Sequence, residues 1–412
     1  MSTVAIMMYC CQLMTVQNVG ILGGGQLARM LVEAAIRLGI TPIPFCKNSH
    51  EPAALISPTY QIGSEDDIQA LSNFLARIDL LIFENEFSRF DCVAKALSGR
   101  NLACQPSLST MIELSDKSKQ KEQLQNLGIP TAEFFTLQKG AELDAWIEQS
   151  LKAFPAGAVF KWGERGYDGK GILVTDQSTD RGAIREFANQ ALSRGYAVYT
   201  EKRIDFIQEL AIIGCRSICG EYISYPLVCC EQKNGICSLV TGPAVALGVS
   251  ESQAQQAREI AELIAHKLNL YGCFGIEFFQ DRNGALLVNE IAPRVHNSGH
   301  YTQDACVTSQ FENHLRATLG MPLGSIAHSP AFAMYNLLGP EDLRADVTAI
   351  DLPIPSGEMK LHWYGKSSIS PRRKVGHLNC VVDNVAQLPA LCDEFKKCES
   401  EWIERLRRTY AK

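Results

Sequence analysis

Between residues 19 and 98, short apolar runs alternate with segments of helical period, and that alternation restricts the chain to one kind of architecture. Val19–Leu22, Thr41–Phe45 and Leu80–Phe83 read as buried strands, while Leu27–Leu38 and Ile68–Ala76 read as helices. Strands separated by helices spell a parallel, doubly wound sheet, because parallel neighbours need a long crossover. After Ser115 the pattern changes. A polar helix over 116–127 stops at Gly128-Ile129-Pro130, strands follow near 132–137, 156–161 and 196–200, and 207–242 is strand-rich. Ser250-Glu251-Ser252-Gln253 is a capping box that opens a helix running to about Leu268. Ala331–Leu337, Glu358–His362 and Val375–Val382 are strand candidates in the tail. A chain of 412 residues suits two or three domains, at ~100–200 residues each. The pattern divides it into 14–112, 113–324 and 325–412.

The formal charge of −6 and the absence of any Lys/Arg cluster longer than a short run argue against nucleic acid or a membrane surface as partner. A small molecule fits better. The 15 cysteines form no CxxC pair and sit mostly in apolar runs, as at Cys215, Cys229, Cys230 and Cys273, so they read as free thiols of a reducing, cytoplasmic protein. The stretch Met1 to Met14 lacks a basic start and is too short to span a bilayer. Met14 is a candidate start, and the residues before it are expected to be poorly ordered.

Gly23-Gly24-Gly25-Gln26-Leu27-Ala28 follows a strand and opens a helix, as in a dinucleotide-binding turn. The second strand, however, ends in Pro44-Phe45-Cys46 instead of the acid that would hold a ribose. The bare amides therefore point to a phosphate on a substrate, held around Gly25 and Gln26. Glu84 and Glu86 leave the end of an apolar strand, where ligands collect in open sheets, and could bind ribose hydroxyls. Lys161 to Gly171 combines four glycines with two lysines and an arginine, a loop whose amides and cations can close over a polyphosphate. Glu201, Lys202, Ile204 and Glu209 come next, and surface charge explains these acids nearly as well as an adenine and ribose do.

Asn283-Gly284 marks a two-residue hairpin turn. Such a turn pairs 282 with 285, and counting outward sets Glu277 opposite Glu290. Like charges facing each other across a strand pair are destabilising, and Mg2+, which takes one or two carboxylates plus phosphate oxygens, removes the conflict. Immediately beyond lie Arg294, His296, Asn297, Ser298 and His300, a surface for an anion and a polar substrate. Arg372-Arg373-Lys374 is a further short basic cluster.

Together these stretches resemble the N5-carboxyaminoimidazole ribonucleotide synthetases, an ATP-grasp family of purine biosynthesis, from about Val19 to His377. The closest motifs are Gly23 to Leu27, Gly166-Tyr167-Asp168-Gly169-Lys170-Gly171, Asn289 to His300, and Thr308-Ser309-Gln310-Phe311-Glu312. The resemblance implies an α/β protein with an N-terminal Rossmann-like parallel-sheet domain, a central two-part ATP-grasp domain and a small C-terminal domain. It implies that ATP phosphorylates bicarbonate to carboxyphosphate, and that the amine of 5-aminoimidazole ribonucleotide then takes the carboxyl group, with Mg2+ and without biotin. By similarity Lys117, Lys161, Asn289 and Glu290 would meet ATP phosphates, Glu201, Lys202 and Ile204 the adenine, and Glu209 the ribose. Glu277 and Glu290 would bind magnesium. Gly25, Gln26, Glu84, Glu86, Tyr167, Asp168, Asn297, Ser298 and Lys374 would contact the nucleotide substrate. Arg294 and His296, with Asp168 and Lys374, would carry the chemistry. A homodimer is what the family suggests. The chain departs from the usual family pattern at Gly163 and Arg165, where arginine and glycine are common, at Phe87 for asparagine, and at Gln232 for histidine. A related ligase for another acid and amine, or a nucleotide-binding homologue without catalysis, are the alternatives.

Overall fold

Burial on both faces explains why the first strands read as unbroken apolar runs. In the computed structural model, which describes residues 16–166, 170–176, 178–346, 352–355 and 357–410, five parallel strands form one sheet. Their order is Gln61–Ile62, Thr41–Cys46, Asn18–Leu22, Leu80–Phe83, Ala103–Gln105. Val19, Ile21, Leu80 and Ile82 point to one face, where the helix Gln26–Arg37 packs. Leu22, Leu81 and Phe83 point to the other, against the helices Ile68–Leu75 and Phe90–Leu97. The expectation for the residues before Met14 lies outside the described residues.

Two antiparallel sheets follow. The smaller has the order Phe134–Thr136, Val198–Lys202, Ala158–Trp162, Ile172–Val174. The larger starts with Leu286–Ala292, Gly272–Asp281, Phe206–Arg216, Val228–Lys233 and Ile236–Gly242, then continues into Ala331–Leu338, Lys374–Val382 and Lys360–Trp363. The C-terminal strands thus extend the central sheet through the pairing of Leu239 with Tyr335. The capping box forms as read: Ser250 Oγ accepts from Gln253 N, and Gln253 Oε1 accepts from Ser250 N, opening the helix Glu251–Lys267.

The sequence reading missed the long helix Leu388–Tyr410. Its signal was present, since Leu388, Leu391, Phe395, Cys398, Trp402 and Leu406 recur at three- and four-residue steps and are all buried. Cys215, Cys229, Cys230 and Cys273 are free thiols. Among the described residues no helix is long and apolar enough to cross a membrane.

Candidate active site

One cleft of about 1470 Å3 gathers residues from all parts of the chain. The turn 23–26 and residues 84–87 line it from the parallel sheet, Lys161 and Glu201 from the smaller antiparallel sheet, and Glu209, Glu277, Asn289 and Glu290 from the larger one. Lys117, Lys202, Ile204, Arg294, His296 and Asn297 also border it, as does the basic segment from Lys366 to Lys374.

Glu277 does face Glu290, but by a different route from the one expected. Asp281 Oδ1 accepts from Asn283 N at 2.9 Å and Ala285 N at 2.8 Å. That widens the turn to three residues, with Gly284 at φ +81° and Asn283 outside the left-handed region. Phe278 therefore pairs with Val288, and on that register Glu277 would face Asn289. A bulge between Glu277 and Phe278 restores the carboxylate pair. The displaced Asn289 donates to Glu277 at 3.3 Å and accepts from Lys161 Nζ at 3.3 Å. Burial, together with the charge of Glu290, pushes Glu277 up to about 7. Burial acts on Glu290 in the same direction, but an ion pair with Lys117 holds it below the usual carboxylate range.

The lysines are held by acids. Lys161 ion-pairs with Glu201, whose other oxygen lies 2.9 Å from Lys121 Nζ. Glu201 is only 3% exposed and its carboxylate serves these lysines, where the sequence left it between an adenine contact and surface charge. Burial raises the Glu209 carboxyl, the Gln232 amide opposes that shift, and both residues line the cleft.

Glu84 and Glu86 were expected as open ribose ligands, and both are already engaged. Glu84 accepts the amides of Gly25 at 2.8 Å, Leu27 at 3.2 Å and Ala28 at 3.4 Å. The anion on these three amides is thus the chain's own carboxylate, so a substrate phosphate, expected around Gly25 and Gln26, does not have this helix N-terminus to itself. Gly23 has φ +125°, and a Cβ on it would stand 2.3 Å from Glu84 Oε2. Gly23→Ala should therefore cost about 1–3 kcal/mol of stability, read as a lowered melting temperature. An unchanged transition would mean that the Glu84 clamp carries no weight. Glu86 makes a two-pronged pair with Arg294, Nη2 to Oε1 at 2.8 Å.

His296, which the resemblance sets beside Arg294 for the chemistry, is not a cation. Burial, helped by the neighbouring Arg294, drives its pKa down to about 3, so the ring is neutral near pH 7. Its Nε2 is 3.6 Å from Glu277 Oε1, and its Nδ1 is 2.8 Å from Ser298 Oγ. Ser298 is 2% exposed and lies outside the cleft lining. It orients His296 from behind and does not offer itself to a substrate. Asn297, which does line the cleft, exchanges two side-chain hydrogen bonds with Asn336. Tyr167 and Asp168 lie outside the described residues.

Two departures from the family pattern meet in space: Arg165, at φ +56°, donates from Nη2 to Phe87 O at 2.8 Å across the cleft. Gly163 is confined by its packing, since a Cβ there would stand 2.6 Å from Asp116 Oδ1. Sequence reasoning missed Lys121, Glu51 and Lys366. Glu51 and Lys366 line the cleft without any local motif, and only the basic run 372–374 hinted at that wall.

Two antiparallel sheets bordering one cleft, with lysines and opposed carboxylates between them, define an ATP-grasp protein. The ATP-grasp domain model matches residues 122–311, the ribonucleotide synthetase preATP-grasp domain 16–112, and the phosphoribosylaminoimidazole carboxylase C-terminal domain 333–390. The chain belongs to the N5-carboxyaminoimidazole ribonucleotide synthase family. It is 37% identical to that synthase of Mycobacterium tuberculosis, over 90% of this chain and 85% of the relative. It is 36% identical to that of Synechococcus elongatus, over 88% and 89%. The crystal structure of carboxyaminoimidazole ribonucleotide synthase from Aspergillus clavatus complexed with ATP matches with a TM-score of 0.82 at 30% identity, covering 93% of this chain and 98% of that one. The Aspergillus clavatus structure in complex with ADP and 5-aminoimidazole ribonucleotide gives 0.81 at 30% identity, covering 93% and 99%.

Proposed function

We propose that the chain is an ATP-dependent ligase that carboxylates the amine of 5-aminoimidazole ribonucleotide with bicarbonate, by way of carboxyphosphate, releasing ADP and phosphate. One observation carries this reading: a single cleft runs from the Glu277–Glu290 pair past Arg294 and His296 to the basic wall 366–374. Joining a triphosphate, a small anion and a phosphorylated amine requires three such surfaces side by side.

Glu277 and Glu290 fit a divalent cation, because they face each other in a half-buried setting that penalises two negative charges. Mg2+ held there would neutralise phosphate oxygens of ATP. Lys117 and Lys161 lie beside this pair and turn from their acids to the phosphates, while Asn289 steadies Glu277. The strand exit from Glu201 to Ile204, with Lys202, offers main-chain groups to the adenine. Glu209, steadied by Gln232, takes the ribose. Arg294 is pinned by Glu86, so its guanidinium is preplaced for the charge that develops on carboxyphosphate. Neutral His296 supplies a hydrogen bond beside it, and Lys374 adds positive charge near His296. Carboxyl transfer forms the N–C bond, breaks the C–O bond to phosphate and releases one amine proton. Gly25, Gln26, Asn297, Lys366 and the 372–374 cluster are left to face the nucleotide substrate, with Tyr167 and Asp168 assigned to it by resemblance.

ADP formation should depend on both aminoimidazole ribonucleotide and bicarbonate when each is omitted in turn. Turnover with a different amine or acid, and none with these two, would transfer the chain to a related ligase activity.

A further inference from the structure

A third lysine lies behind the cleft, where no ligand can reach it. Lys121 is 2% exposed and does not line the cleft. Its Nζ is 2.9 Å from Glu201 Oε2, donates to Thr131 Oγ1 at 2.7 Å and lies 3.5 Å from the carbonyl of Val288. Burial pushes the Lys121 ammonium down, and Glu201 opposes that shift. Burial would raise Glu201 in turn, yet Lys121 and Lys161 together hold it at about 2. One carboxylate therefore serves two ammonium groups, and of the two only Lys161 borders the cleft.

This arrangement bears on what happens when Lys161 moves. A buried carboxylate stripped of its partner is strongly penalised, whereas one that keeps a partner is not. Were Lys161 the sole counter-charge of Glu201, turning it toward a phosphate would leave Glu201 uncompensated in a dry site. Lys121, tied to Thr131 and the Val288 carbonyl, stays where it is and keeps Glu201 paired.

We propose that Lys121 is a positioning residue, the standing counter-charge of Glu201 that frees Lys161 to engage the phosphates of ATP. The inference rests on the reading of Lys161 as a phosphate-binding lysine. The test compares steady-state KM for ATP, kcat and melting temperature in Lys121→Met, in Lys121→Met/Glu201→Gln and in Lys161→Met. Lys121→Met should raise KM for ATP by about tenfold, with kcat at saturating ATP changed far less, because the loss lies in ATP engagement. Adding Glu201→Gln removes the carboxylate that traps Lys161 and should lower KM again by about fivefold. A purely structural lysine would not show this reversal.

An unchanged KM in Lys121→Met, or a double variant no better than the single one, overturns the proposal. If Lys121→Met does not fold, the charge-balanced double variant decides. A KM within about threefold of the parent supports the proposal, and a rise of about tenfold or more sinks it. Lys161→Met separates the two levels of inference. If it leaves KM for ATP untouched, the phosphate-binding reading of Lys161 fails and takes the proposal with it. If it raises KM while Lys121→Met does not, only the proposal fails.

Discussion

Glu290→Ala is expected to abolish ATP turnover, lowering kcat/KM by about a hundredfold or more, in line with the removal of a preorganised electrostatic group. Glu290 faces Glu277 across the bulged hairpin and is also the acid on which Lys117 rests. The substitution therefore removes one of the two carboxylates proposed to bind the metal and takes from the half-buried Lys117 ammonium its ion-pair partner. Glu290→Gln keeps the shape and removes the charge, so it should be nearly as damaging to turnover. The measurement is ADP release across a magnesium titration. Near-normal rates at saturating magnesium would refute the metal assignment for this pair.

Arg294→Met should have the second largest effect, a loss of carboxylation of about 10²–10³-fold, because the guanidinium is preplaced where charge develops. The same change strands Glu86, which is 7% exposed, and breaking a buried pair from one side costs about 3–5 kcal/mol. The two effects are separable. Glu86→Gln/Arg294→Met removes both charges together and should recover most of the lost melting temperature without recovering product formation. Recovery of product as well would mean that Arg294 acts only as a structural partner of Glu86.

The hairpin shows how far a sequence reading carries and where it misleads. Asn283-Gly284 suggested a two-residue turn, and Asp281, by accepting two amides, built a three-residue one instead. The opposed glutamates were nevertheless read correctly, because the bulge that expels Asn289 cancels the shift. Neither irregularity is visible in apolar periodicity, since each depends on side-chain hydrogen bonds. The lysines show a different limit. Lys117 and Lys161 were legible through resemblance, whereas Lys121 looks like any polar position of a surface helix until Glu201 is folded against it.

By itself the sequence determined what neighbours along the chain decide: the alternation of strands and helices, the Ser250 cap, the hairpin around Asn283-Gly284 that brings the strands of Glu277 and Glu290 side by side, and the cluster from Arg294 to His300. Those features arise from period, turn chemistry and capping, all of which act over a few residues. Only the tertiary structure decided which charge meets which. Glu86 reaches Arg294 across 208 residues, Lys117 reaches Glu290 across 173, and Glu84 closes on Gly25 across 59. The physical reason is that a buried charge takes its partner from whatever folding brings within hydrogen-bond reach. Here the three sheets had to converge on one cleft before the acids expected to greet a ligand became the counter-charges of the chain's own cations and amides.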